Sequence, residues 1–505
     1  MLLSGDARML TLRLSVPSLL AMLSTGLCTL LDALYAARAG AALSGAMSVC
    51  FPLLTLIQTV GFTLGMGAGS HVSRCLGTDD RQSARQAAST ALMLALALGL
   101  LLAAAGVFFA QSIAMLLGAP QEALPVCAAY ARWVLLSAPL QCVGLTLSSL
   151  LRGQGNTRAN MIAYVAASAL GAALGCALIV RRGLGVWGAG ISLIAREALA
   201  LLILLVAMAR SDASLRPAPR HVTLRLWVFP AILRSGLPTL LRQGSMALSG
   251  ALQSRICRGF GAATLAGMGV AVRASALVSS AVIGFAQGFQ PVCGAAYAAG
   301  DMERVHTAYR FCMRVTVVAL LLLGGATLLF ADALLAPLAT QPEAAVFAAR
   351  VLRAQGAVFF AQGAVILMNV LTQAMGLTVR ATLVAVSRQG LFLPPLLLLL
   401  PRLLGDTGLV LAQSAADVLA LLLSLLLTRG IWHAPQPLTD GAQGITMDAA
   451  QTPSSRAKRR RVQGQCPWWG LGQSPKRGMG QPPHRPPIAE RSRMKAVRER
   501  SGTCR

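Results

Sequence analysis

Asp32 stands inside an apolar run, Gly26-Leu-Cys-Thr-Leu-Leu-Asp32-Ala-Leu-Tyr35. An ionised carboxylate surrounded by hydrocarbon is costly, so it pairs, faces water or takes a proton. Such a group can load H⁺ or Na⁺ and release it when its surroundings change. Asp32 is therefore the candidate cation-coupling residue. Two other apolar runs carry charge: Arg196-Glu197 in one, and Asp417 in a last run that follows Arg388. Adjacent residues of a helix point in directions about 100° apart, so Glu197 is expected to seek an arginine on another helix, for structure or for coupling. For Asp417, structural pairing with Arg388 is the preferred reading. A third set is polar without being acidic: Arg242, Gln243, Arg273, Gln287 and Gln290, with Asn369 and Gln373 one helical turn apart. These are candidates for lining a polar cleft, although glutamines serve equally well as hydrogen-bonding glue between helices. Catalytic groups are not in evidence. The five histidines are scattered, the eleven cysteines form no CxxC, and no serine motif, phosphate loop or metal-ligand cluster occurs. No enzyme, resident metal or cofactor is expected.

The elements that position these residues are membrane helices. Of 505 residues, 55% are hydrophobic and 12% charged, with a mean hydropathy of +0.65. Soluble domains carry about twice that share of charge. Crossing the hydrocarbon layer takes about 20 apolar residues. Runs of that length recur near 9–35, 44–69, 87–110, 128–151, 159–180, 186–208, 232–256, 264–290, 308–330, 346–372, 380–401 and 408–428. The expected fold is all-α, a polytopic membrane protein with twelve transmembrane helices.

A net charge of +27 would suit a nucleic-acid binder. Its distribution points elsewhere, because arginines collect in alternate gaps between the runs. Arg8 and Arg13, Arg74, Arg81 and Arg85, Arg152 and Arg158, Arg210, Arg216, Arg220, Arg225 and Arg234, Arg304 and Arg380 mark one side. By the positive-inside rule that side is cytoplasmic, and both ends of the chain lie there. All three lysines fall in residues 430–505, where composition turns to Pro, Gly, Ser and Gln. That stretch is expected to be a basic disordered tail without a part in transport.

The chain also repeats itself. Pro17 corresponds to Pro238 at an offset of 221 residues, Phe62 to Phe285 at 223, and Gly155 to Gly376 at 221. Residues 1–208 and 232–429 read as two six-helix bundles joined by a cytoplasmic linker, 209–231. Six crossings per half make the repeat parallel.

At this point the residues resemble the multidrug and toxic compound extrusion (MATE) transporters, in a MepA-like bacterial branch, over roughly residues 8–429. Phe51-Pro52 through Gly65-Met66-Gly67-Ala68-Gly69-Ser70 resembles the glycine-rich second helix of that branch. Leu150-Leu151-Arg152-Gly153-Gln154-Gly155-Asn156 resembles the end of its fourth. Gly284-Phe285-Ala286-Gln287-Gly288-Phe289-Gln290-Pro291 is the most specific match, and Ser387-Arg388-Gln389 and Gln413 with Asp417 complete the second half. The resemblance implies export of amphipathic, cationic small molecules in exchange for H⁺ or Na⁺, by rocking-bundle alternating access. It places the protein in a bacterial inner membrane, in contact with lipid and with no nucleic-acid partner. It also implies that Asp32 is the acidic residue linked to coupling.

One helix departs from the pattern. Where the branch carries an Asn and, four residues on, an Asp-Pro, this chain reads Ala169-Leu-Gly171-Ala-Ala-Leu-Gly175-Cys176. Asp32 is expected to have lost its polar partners there. A Na⁺ site wants several oxygen ligands, so a proton on Asp32 survives the change better. Two alternatives follow: a flippase for lipid-linked oligosaccharides, whose pyrophosphate would meet Arg242, Arg255 and Arg273, or a homologue that no longer transports.

Overall fold

The computed structural model describes residues 5–119, 121–211, 216–217, 221, 228–335 and 342–430. Fifteen α-helices and no strand occur among them. The first half comprises α1 (Ala7–Ala39), α2 (Ala41–Gly77), α3 (Arg81–Leu116), α4 (Leu124–Leu136), α5 (Ala138–Gly153), α6 (Thr157–Leu174) and α7 (Gly185–Ala209). The second comprises α8 (Val228–Gly259), α9 (Ala262–Ala298), α10 (Met302–Leu335), α11 (Pro342–Gly356), α12 (Phe359–Ala374), α13 (Thr378–Val386), α14 (Leu393–Leu404) and α15 (Asp406–Arg429). Most of the linker and everything after Gly430 lie outside the described residues, the basic tail included.

Nine of these helical segments are singly long and apolar enough to span a membrane, and two bent pairs bring the number to eleven. The twelfth crossing is α8. At 32 residues it is about 48 Å long, well over the hydrocarbon thickness, but Arg234, Arg242, Arg255 and Arg258 keep its hydropathy low. The helices also overrun the apolar runs. Hydropathy marks only the part at hydrocarbon depth, whereas a helix continues until its end groups are capped. Asp80 caps α3 by accepting from the Ser83 amide (3.0 Å), and Asn156 caps α6 at Ala159 (3.3 Å).

The fourth and tenth crossings, expected to be continuous, are each broken. Helix α5 leaves α4 at 41°, with Pro139 in its first turn, and α12 leaves α11 at 57° beyond Val358. Proline lacks the N–H that would continue the ladder. The fifth and eleventh crossings each contain a π-helical stretch, Gly175–Arg181 after α6 and Ser387–Phe392 between α13 and α14. Bends and π turns thus recur at matching places in the two halves.

Within lipid the gain on packing comes from close contact and hydrogen bonds rather than from escape from water. The interior is accordingly rich in small residues, with Ala46, Ala68, Ala91, Ala131, Ala296 and Ala412 fully buried. One core centres on Leu147, Leu150 and Leu151 of α5 and a second on Phe359 and Leu352. A third, around Phe289, joins α9, α10 and α12 to Ala7 and Leu14 of α1.

The halves meet through α1 against α9 and α2 against α8. Contact is tightest at the end where α1 and α8 begin. A Cβ on Gly67 of α2 would strike the carbonyl of Ile232, and one on Gly288 of α9 would strike the backbone of Ser15. Arg74 of α2 fastens the same end. It donates to the carbonyls of Gln373 (3.4 Å) and Ala374 (3.2 Å) at the end of α12, and to Ser235 Oγ (3.3 Å). A cation there also suits the helix dipole. Toward the other end the helices part: nothing lies within 4 Å of a Cβ on Gly45, Gly244 or Gly250, and Met246 and Leu248 are exposed. The close approaches between the halves are thus concentrated at the end where α1 and α8 begin, the end a cleft between them would have closed.

Candidate coupling site and cleft

Asp32 lies two turns before the end of α1, with 17% of its side chain exposed. It is not stripped of partners. The guanidinium of Arg196 on α7 reaches across and bonds its carboxylate through Nη1. The same guanidinium touches Cys28 Sγ (3.4 Å) one turn earlier on α1, and its Nε lies 3.5 Å from Glu197 Oε1.

Two sequence expectations are corrected here. Asp32 keeps a polar partner, supplied by α7 instead of the fifth crossing. Glu197 meets its own neighbour Arg196 in place of an arginine on another helix, because the arginine side chain is long enough to turn back past its own backbone.

The altered fifth crossing explains how Arg196 fits. Gly171 of α6 faces it, and a Cβ at Gly171 would lie 3.1 Å from Arg196 Cδ and 3.3 Å from Cys28 Sγ. The space left by small residues on α6 is filled by the arginine. The cluster therefore holds two carboxylates and one guanidinium.

A second ionic cluster occupies the other half. Asp417 of α15 is 1% exposed and pairs with Arg388 Nε, as its sequence suggested, while Gln413 approaches the same carboxylate at 3.5 Å. With its amide oxygen turned toward them, Gln362 of α12 accepts from Arg388 Nη1 (3.0 Å) and Nη2 (3.3 Å) and from Ser279. Arg388 belongs to the π turn, whose neighbouring carbonyl, that of Gln389, accepts from Ser249 of α8. Such turns often carry functional groups because they re-aim side chains.

The polar lining candidates divide. Gln290 bonds Ser70 Oγ of α2 (2.8 Å), Gln373 bonds Thr239 Oγ1 (3.0 Å) and the Ser235 carbonyl (3.3 Å) of α8, and Asn369 bonds the Ala381 carbonyl (2.8 Å). Their donors are engaged by neighbouring helices, so these three act as glue. Gln287 is buried beside the α1 seam. Arg242 and Gln243 are half-buried on α8 and Arg273 is exposed on α9. Arg242 has no hydrogen bond or ion pair among the described residues.

Three residues escaped the sequence reading. Arg196 was seen only as Glu197's neighbour, although an Asp and an Arg both deep in apolar runs signal a pair. Arg152 is 2% exposed and bonds Ser148 Oγ (2.6 Å) and Ser149 Oγ (2.7 Å) of its own helix. It borders a cavity of about 10 Å³ with Gln290 and Ser73, room for roughly one water molecule. Arg74, a topology marker in the sequence, is also a link between halves.

Comparison with known proteins agrees with this architecture. The MatE family model matches residues 17–176 and 238–398, one match in each half. The multidrug export protein MepA of Staphylococcus haemolyticus (strain JCSC1435) is 23% identical over 382 residues, covering 76% of this chain and 84% of that protein. An outward-facing multidrug resistance MATE family transporter of the MOP superfamily superposes with a TM-score of 0.80 at 24% identity, over 86% of this chain and 97% of that one. A MOP superfamily transporter from Pyrococcus furiosus Vc1, described by the reverse polarity of its binding pocket, superposes with a TM-score of 0.80 at 23% identity and the same coverage. Matched over both of its halves, the chain belongs to the MatE family, the multidrug and toxic compound extrusion transporters.

Proposed function

We propose that the protein exports amphipathic small molecules from a bacterial cell by cation-coupled antiport, with H⁺ as the coupling ion. The observation that carries this reading is the Asp32–Arg196–Glu197 cluster. Two carboxylates against one guanidinium leave one negative charge on the cluster. A charge at that depth calls for one exchangeable cation. Arg196 occupies the room that further oxygen ligands would need, which disfavours Na⁺ and suits a proton. Close approach of the halves at one end fits one state of an alternating-access cycle in which the halves rock about α1–α9 and α2–α8. The filled space opposite Gly171 argues against a degenerate, non-transporting homologue, since the lost groups of the fifth crossing have been replaced.

Cationic cargo, implied by the family resemblance, meets an obstacle in the arginines of α8 and α9. Those arginines also serve the lipid-linked oligosaccharide flippase reading.

The test is export of fluorescent amphipaths from proteoliposomes under imposed pH and Na⁺ gradients separately, wild type against Asp32→Asn. Export driven by the pH gradient and lost in the variant is expected. Export driven by Na⁺ alone would refute proton coupling. No export under either gradient, from well-inserted protein, would refute the exporter reading.

A further inference from the structure

Residues 228–298, the whole of α8 and α9, contain five arginines (Arg234, Arg242, Arg255, Arg258, Arg273) and no Asp or Glu. These two helices form the second half's side of the seam and cleft. Arg242 is the most telling of the five. It lies half-buried near the middle of α8, without an ion pair or hydrogen bond among the described residues. Ser245 and Ser249, three and seven residues on, share its face. Ser249 donates to the Gln389 carbonyl, and a Cβ on Gly390 would lie 2.6 Å from Ser245 Oγ. Arg242 therefore stands on the face of α8 turned to the π turn that carries Arg388. Asp417 balances one of the two cations. No acidic side chain pairs with the other among the described residues.

A cation kept half-buried without a counter-ion is held at a cost that an anionic ligand relieves. Met246, one turn beyond Arg242 on the same face, is 48% exposed and offers an adaptable apolar surface beside the charge. We propose that Arg242, with Arg388 behind it, is an anion-binding site. The cargo it takes is an amphipathic anion, an apolar body bearing a sulfonate, carboxylate or phosphate ester. The guanidinium fork suits such oxyanions, and the same charges repel the cationic compounds that the family resemblance implies. The inference deepens the exporter reading, yet the site can be tested without transport.

The experiment measures binding of two pyrenes to the purified full-length protein, one carrying a sulfonate and one a trimethylammonium group. The sulfonate is expected to bind at least about tenfold more tightly, a usual worth for one partly buried charge–charge hydrogen bond. Arg242→Gln should erase that preference. Gln243→Glu, which keeps Arg242 and sets a carboxylate beside it, should weaken the sulfonate as well. Equal or tighter binding of the trimethylammonium probe by wild type overturns the proposal. So does a sulfonate affinity that both variants leave unchanged. A polyprenyl pyrophosphate that displaces the sulfonate at lower concentration than a pyrene phosphate keeps the site and assigns it to lipid. Sulfonate that binds but is moved under neither gradient keeps the site and refutes the exporter reading. Trimethylammonium export without sulfonate binding does the reverse.

Discussion

Arg196→Met would remove the one positive charge between Asp32 and Glu197. Both carboxylates contact that guanidinium, which sets them roughly 6 Å apart. At an effective dielectric constant of about 20, two charges at that distance repel by about 3 kcal/mol. With side chains only 17% and 22% exposed, solvent relieves little of this. About two pH units of proton affinity correspond to that energy, so the pair left in the variant should take up a proton more readily than either carboxylate standing alone. Charge counting then orders the whole series. Asp32→Asn and Glu197→Gln each leave a neutral pair with Arg196, and each should abolish export driven by a pH gradient. Arg196→Met/Glu197→Gln returns the cluster to one negative charge and should recover part of the export lost in either single variant. The assay is proton release per cargo molecule in proteoliposomes holding a pH-sensitive dye. Wild type and the double variant should release one proton. Wild-type behaviour from Glu197→Gln, or no recovery in the double variant, would refute the one-charge reasoning and return coupling to Asp32 alone.

Asp417→Asn should destabilise the protein by about 3–5 kcal/mol, because it strands Arg388 next to the unbalanced Arg242. A fall in thermal unfolding temperature in detergent, partly reversed by adding Arg388→Gln, would show it. Gly67→Val should hold the closed end of the cleft apart, since its side chain meets the Ile232 carbonyl. Faster maleimide labelling of Cys75, 8% exposed and next to Arg74 on α2, in a variant whose other cysteines are replaced by serine, reports the opening. Gln290→Leu removes a single bond to Ser70 and should cost only about 0.6 kcal/mol, the average for hydrogen bonds between membrane helices. A loss above about 2 kcal/mol would mean that Gln290 does more than join α9 to α2.

What the sequence made legible follows from distance along the chain. The spans could be read because hydrocarbon thickness imposes a run length, and the repeat could be read because Pro17 and Pro238 hold an offset. The bend between α11 and α12 could not, because Ala357-Val358 carries no proline or glycine pair to mark it. Partners across helices were hardest. Asp32 and Arg196 are 164 residues apart, and nothing local says that α7 turns its arginine toward α1. The spacing of Asn369 and Gln373 puts them one turn apart, yet that one bonds Ala381 and the other α8 is a property of the bundle. One quantity crosses that gap without contacts: the sum of buried charge. Hydrocarbon makes every uncompensated charge costly, so intramembrane acids and bases must balance or await an ion. Asp32, Arg196 and Glu197 sum to minus one, and Arg242, Arg388 and Asp417 to plus one. The proposed proton answers the first and the proposed anionic cargo the second. In one molecule, then, the proposed coupling ion and the proposed cargo are called for by opposite imbalances, one in each half. Neither site need compete for the other's ligand, and communication between them must travel through the α1–α9 and α2–α8 seams instead of through a shared acid.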